Sequence, residues 1–229
     1  MSLITNRGLD SLIGIIVIPY LILKIGEVEY GRIVLAQSIV YLGVAFANYG
    51  LDFLILKKVP LYMYFQKMRP ISIFMYRIIL LRFAIFLLYL VLYYILQCVF
   101  GFSSELNLYF SILSLICLAE VFSVSHFLVV FQNVKILPWV SAFRFLFLFL
   151  FTYIFVRKEN DAYRYICFYS ISYLFSNLVV LFYTVLKYKL HYFKLPSIGA
   201  LKKIFFKSSP FFISKLNLIL SDKLYNILF

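Results

Sequence analysis

The feature that most constrains this chain is the recurrence of apolar runs long enough to cross a bilayer, at about 31 to 56, 77 to 100, 107 to 131, 138 to 156 and 163 to 186. One helix needs roughly 20 mostly apolar residues to traverse hydrocarbon, because its backbone must satisfy its own hydrogen bonds there. A shorter run, about 9 to 23 with Pro19 in its second half, precedes these, and a further one opens near 210. The expected fold is therefore all-α: a polytopic membrane protein with six transmembrane helices plus the start of a seventh. A hydrophobic content of 65% and a mean hydropathy of +0.99 exceed what a soluble domain hides. The first run follows Arg7 as in a signal peptide, but it lacks a small-residue cleavage site and is expected to stay attached.

Charge supplies the orientation. The chain has 22 Lys and Arg against 9 Asp and Glu, a net charge of +13. In a soluble domain this would indicate nucleic acid. Here Glu27, Glu29, Glu105, Glu159 and Asp161 lie on alternate short connections, whereas Lys57, Lys58, Lys67, Arg69, Arg77 and Arg82 gather around the second connection. Lys135 marks the fourth, and Lys187, Lys189, Lys194, Lys202, Lys203 and Lys207 the sixth. The positive-inside bias then predicts a cytoplasmic N-terminus, with the bilayer rather than nucleic acid as partner. The 57 to 76 and 187 to 209 connections mix aromatics with cations and suit amphipathic interfacial helices or simple basic loops.

No motif for bond chemistry is present. Neither GxxxxGK[ST] nor GxGxxG occurs. His126 and His191 are far apart, and Cys98, Cys117 and Cys167 sit inside apolar runs as free thiols. No catalytic residue, metal or cofactor is expected, and the chain is read as a non-enzyme.

What remains is polar residues inside the apolar runs, which are expensive in hydrocarbon and normally face a bundle interior or a watery cavity. Glu120 in the fourth run and Arg144 in the fifth have two readings: a cavity group that binds or relays a cation, or an ion pair locking two helices. Tyr169, Tyr173, Ser176, Asn177 and Thr184 share one stripe of the sixth helix, suited to sugar stacking or to helix–helix hydrogen bonds. Ala36, Gly43, Ala47 and Gly50 form a small-residue face suited to close packing. Lys215, Asp222 and Asn226 share a face of the terminal run and would line a cavity if that run spans.

Several stretches carry a resemblance. GEVEYGRIVLAQSIVYLGVAFANYGLDF, at 26 to 53, resembles the second helix of Wzx-type O-antigen and polysaccharide flippases through Gly26, Tyr30, Gly31, Tyr49 and Gly50. IPYL at 18 to 21 and KSSPFFISKLNLIL from 207 are similar to that family's first-helix end and its lead-in to helix seven. FLVVFQNVKILPWVSAFRF matches the family segment between helices four and five at Phe131 and Gln132, with Asn133 where Gly is usual and Lys135 where Glu is usual.

The resemblance implies one six-helix bundle, residues 1 to 209, of a two-bundle fold, with 210 to 229 as the start of a seventh helix and a missing C-terminal half or a second copy as partner. It implies flipping of a polyprenyl-diphosphate-linked oligosaccharide across a bacterial inner membrane, for O-antigen or capsular polysaccharide. Lys215, Arg144, Tyr169, Tyr173 and Asn177 are then the substrate-cavity candidates, and Glu120 and Asp222 the ion-coupling candidates. A membrane-embedded polymerase or acyltransferase and a non-transporting subunit are the alternatives; the first would need a large outer loop or clustered His and acids.

Overall fold

The computed structural model describes residues 13–65, 68–190 and 196–228, with side chains through Ser214. The protein is an all-α polytopic membrane protein. Among the described residues, five stretches are long and apolar enough to span a bilayer, and Ile15–Ile25 is a shorter apolar helix.

A wide helical turn, Ile13–Val17, leads into α1, Ile18–Ile25. Pro19 opens α1 rather than sitting in the second half of a longer helix, because the first helical turn needs no N–H from it. The second span is two helices, α2 (Glu27–Asn48) and α3 (Leu51–Tyr64). α4 is Met68–Phe100; α5 (Ser104–Val121) and α6 (Ser125–Val130) share the fourth span. α7 is Ile136–Phe155, α8 Ala162–Tyr188 and α9 Ile198–Leu228.

The two long basic connections expected from the sequence are largely absorbed into helix. Residues 57 to 64 extend α3, 68 to 76 begin α4, and 198 to 209 begin α9, so these amphipathic stretches are the ends of longer helices rather than separate interfacial ones. Pro210 accordingly lies inside α9 instead of opening it. A proline there leaves the carbonyl four residues back without its donor. The Ser209 hydroxyl donates to that carbonyl, Phe206 O, at 2.9 Å.

The helices pack α2 on α5, α5 on α8 and α8 on α7, with α4 against α2 and α9 against α3. The small-residue face of α2 does the close packing foreseen for it: Ala36 and Ala47 are fully buried, and a Cβ at Gly43 would strike the Tyr89 ring. Around this frame, Leu88, Val91, Leu146, Leu150 and Phe182 are exposed, as lipid-facing side chains are. On α7 the rings of Phe143, Phe147, Phe151 and Phe155 stack in an i, i+4 ladder.

Two apolar cores result. One, toward the acidic ends, joins Ile33, Val40, Phe86, Phe110, Leu148 and Ile166. The other, toward the basic ends, joins Leu51, Ile55, Ile71, Ile78, Phe127 and Val180. Between them lie buried polar residues, among them Asn48, Asp52, Arg82, Ser123, Ser141 and Ser176.

Candidate functional site

The polar layer is organised by two helix breaks. At the first, Tyr49 and Gly50 both adopt left-handed backbone (φ 38° and 66°), ending α2 and starting α3. Glycine suits this conformation; tyrosine is strained in it by roughly 1 kcal/mol. The Tyr49 ring is held between Phe205 and Phe212 of α9, with centroids 4.3 and 4.5 Å away. Gly50 is also where α9 comes closest: a Cβ there would lie 2.7 Å from Phe212 N and 2.9 Å from Ser208 O.

At the second break α5 tightens, with Phe122 N–H donating to Ala119 O and Ser123 N–H to Glu120 O, before α6 restarts at Ser125. The carbonyls at a helix C-terminus lack intrahelical donors and carry partial negative charge. Arg82 of α4 supplies both a donor and a positive charge. Its Nη1 donates to Ser123 O at 2.5 Å and to Glu120 O at 3.3 Å. Its Nη2 donates to Asn48 Oδ1 at 3.0 Å and Asp52 Oδ1 at 2.6 Å.

Arg82 is completely buried, and the Asp52 side chain is 12% exposed. Asp52 lies in the first turn of α3, where the helix dipole favours a carboxylate, and His126 Nδ1 of α6 stands 3.3 Å from the same oxygen. One guanidinium therefore joins both broken spans. Grouping Arg82 with the basic connection, as its neighbours in sequence suggest, is corrected by its position: it stands about 21 Å of helix inside the Met68 end.

A second polar group lies deeper, between α2, α7 and α8. The Arg144 guanidinium sits 4.3 Å from the centre of the Tyr173 ring, a cation–π distance. Tyr169, whose ring lies tilted against Tyr173 with centroids 5.0 Å apart, shares a 2.6 Å hydrogen bond with Tyr41 of α2. Arg144 and Asn177, with Ser125, Ser141 and Ser176, line a cavity of about 150 Å³. Ser172, Ser176 and Thr184 instead turn their hydroxyls back to Tyr169 O, Ser172 O and Val180 O within α8.

The structure thus gathers Arg144, Tyr169, Tyr173 and Asn177 into one neighbourhood and adds Tyr41, which the sequence reading missed. Glu120 lies half-buried at the end of α5, its backbone carbonyl accepting from Arg82 and its carboxylate beside the Cys117 thiol. Lys215, Asp222 and Asn226 stand on α9 beyond the described side chains, while Arg7, Lys67, His191 and Lys194 lie outside the described residues. Between α6 and α7, Gln132 takes the left-handed conformation (φ 54°) and Asn133 Nδ2 donates to Tyr183 Oη at 3.0 Å.

At the acidic ends, charge is held locally. Arg32 bonds Glu29 at 2.5 Å and also Glu105, and Tyr109 donates to Glu29 at 2.9 Å. Asp161 accepts from the N–H groups of Arg157 and Lys158 at 3.0 and 3.1 Å and pairs with Arg164 at 2.9 Å. Among the described residues no three His, Cys, Asp or Glu side chains converge as a metal site. No family model, curated protein or solved structure matches the chain.

Proposed function

We propose that this chain is one bundle of a flippase for polyprenyl-diphosphate-linked oligosaccharide, working in a bacterial inner membrane with its N-terminus cytoplasmic and making or breaking no bond. The observation that carries the reading is the pair of spanning helices interrupted around one buried Arg82–Asp52 cluster. Membrane transporters place interrupted helices and buried ionisable groups where substrate or ion is handled, since backbone freed of its helix partners is tolerated only against protein or a polar cavity.

In this reading the breaks are hinge points. Arg144 and Asn177 bring a cation and an amide to one cavity, and Tyr173 lies against the Arg144 guanidinium, a set that would suit a diphosphate and the sugar that follows it. A cavity of about 150 Å³ admits a few waters, not a glycan. The glycan path would form between this bundle and a second one, either a C-terminal half or another copy.

The test is reconstitution into vesicles holding a fluorescent polyprenyl-diphosphate oligosaccharide, with an impermeant quencher outside. Flipping raises the quenched fraction from about half toward completion. Tyr173→Leu should slow it, while Tyr173→Phe, which keeps the ring under Arg144, should not. If quenching stays at half for the chain alone and for the chain joined to a second bundle, the reading fails.

A further inference from the structure

Beyond the basic-end core lies a cavity that the polar layer does not use. It measures about 620 Å³ and sits between α3, α4 and α9. Lys58, Arg77, Lys203 and Lys207 line it, with Tyr62 and Phe74 as apolar wall, and none of its lining residues is acidic. Lys58 stands above the Phe74 ring at 5.1 Å and feels the like charges of Lys207, Lys203 and Arg77. Arg77 Nε is buried with no hydrogen-bond acceptor among the described residues. Four cations converging without a carboxylate repel one another, and a buried guanidinium nitrogen lacking an acceptor is destabilising by roughly 1–3 kcal/mol. An anion between the four cations relieves their repulsion.

Depth identifies the anion. Arg77 lies about 35 Å of helix from the Phe100 end of α4, where the chain turns at Gly101 toward Glu105. Hydrocarbon occupies about 30 Å, so the cavity stands at headgroup level on the basic side. There the abundant anion is the phosphate of an acidic phospholipid, whose acyl chains would run along exposed apolar helix surface.

We propose that this cavity binds the phosphate of an anionic phospholipid of the basic-side leaflet, and that the bound headgroup ties α9 to α3 and α4. This inference does not depend on the flippase reading. The site is built from three separate helices, so the lipid acts as a bridge: Lys203 and Lys207 come from α9, Lys58 from α3 and Arg77 from α4.

The test uses the purified full chain in mild detergent, titrated with phosphatidylglycerol, phosphatidylcholine or inorganic phosphate, reading binding by native mass spectrometry and thermal unfolding. Phosphatidylglycerol should bind and raise the unfolding midpoint, and phosphatidylcholine and millimolar phosphate should not. Lys203→Gln/Lys207→Gln should weaken that binding about thirtyfold, the worth of two lysines to an anionic lipid surface. Lys202→Gln, which removes an equal charge from a residue that does not line the cavity, should leave it unchanged. Should the double variant fold poorly, Lys58→Gln on α3 gives the same reading.

Equal stabilisation by inorganic phosphate would assign the cavity to a free anion and overturn the lipid proposal. Binding of a polyprenyl diphosphate without phosphatidylglycerol would assign it to substrate and also overturn it. An equal loss in Lys202→Gln would reduce it to general surface charge.

Discussion

Arg82 and Asp52, thirty residues apart, meet through Nη2 and Oδ1 at 2.6 Å, the guanidinium fully buried and the carboxylate nearly so. The same guanidinium holds the carbonyl end of α5, so the ion pair and the second helix break are one structure. Removing either partner leaves the other charged and buried.

Arg82→Met and Asp52→Leu should therefore each destabilise the protein by about 3–5 kcal/mol, whereas the double replacement should recover most of the loss. Denaturant unfolding in mild detergent measures all three. A double variant no more stable than either single one would show that Arg82 acts through Ser123 O and Asn48 rather than through Asp52.

Gly50 and Gly31 make a matched pair. Gly50 combines positive φ with the close approach of α9, so Gly50→Ala should cost about 1–3 kcal/mol. Gly31 is a helix-interior position with nothing within 4 Å of an added Cβ, and Gly31→Ala should stabilise by up to about 1 kcal/mol. Opposite shifts of the thermal midpoint are the expected outcome.

Asp161 gives the fold an acid-sensitive joint. The Arg157 N–H, helped by the Lys158 N–H and the Arg164 charge, holds its carboxyl below the ordinary value. A depressed folded value means that its contribution is complete above the unfolded value of about 3.9 and is lost as pH falls through the folded one. Asp161→Ala should thus lower the unfolding midpoint at neutral pH, and its gap from the parent should narrow as pH falls below the ordinary carboxylate range. Parallel curves throughout would refute the linkage.

Thiol chemistry reports the packing directly. Cys98 is exposed, Cys167 half-buried and Cys117 buried in the acidic-end core. In detergent a small maleimide should modify Cys98 first, then Cys167, and reach Cys117 only on unfolding, as peptide mass spectrometry would follow.

Much of this architecture was legible in the sequence, because spans are written in apolar length. The breaks were not. Tyr49 and Gly50 fall inside the single apolar run at about 31 to 56, and nothing in Phe122-Ser123-Val124 announces a stop; both breaks depend on partners distant in the chain, Phe205 and Arg82. Arg82 itself looked like one more loop cation, since its depth depends on where α4 begins, and charge alone does not fix that boundary. Arg144, Tyr169, Tyr173 and Asn177 were found as a set by helical period, whereas Tyr41 faces them from a helix whose small residues drew the reading to its other side. The cavity of Lys58, Arg77, Lys203 and Lys207 was invisible because its cations were counted for orientation, separately on two connections.

The stacking of Tyr49 between Phe205 and Phe212 also has a consequence in time. A ribosome adding about 5–20 residues per second delivers Phe205 roughly 8–30 s after Tyr49. Through that interval the strained Tyr49-Gly50 turn has no ring on either side, and the first eight helices must wait in the membrane with that seam open. The Tyr49-Gly50 seam closes only when α9 reaches it.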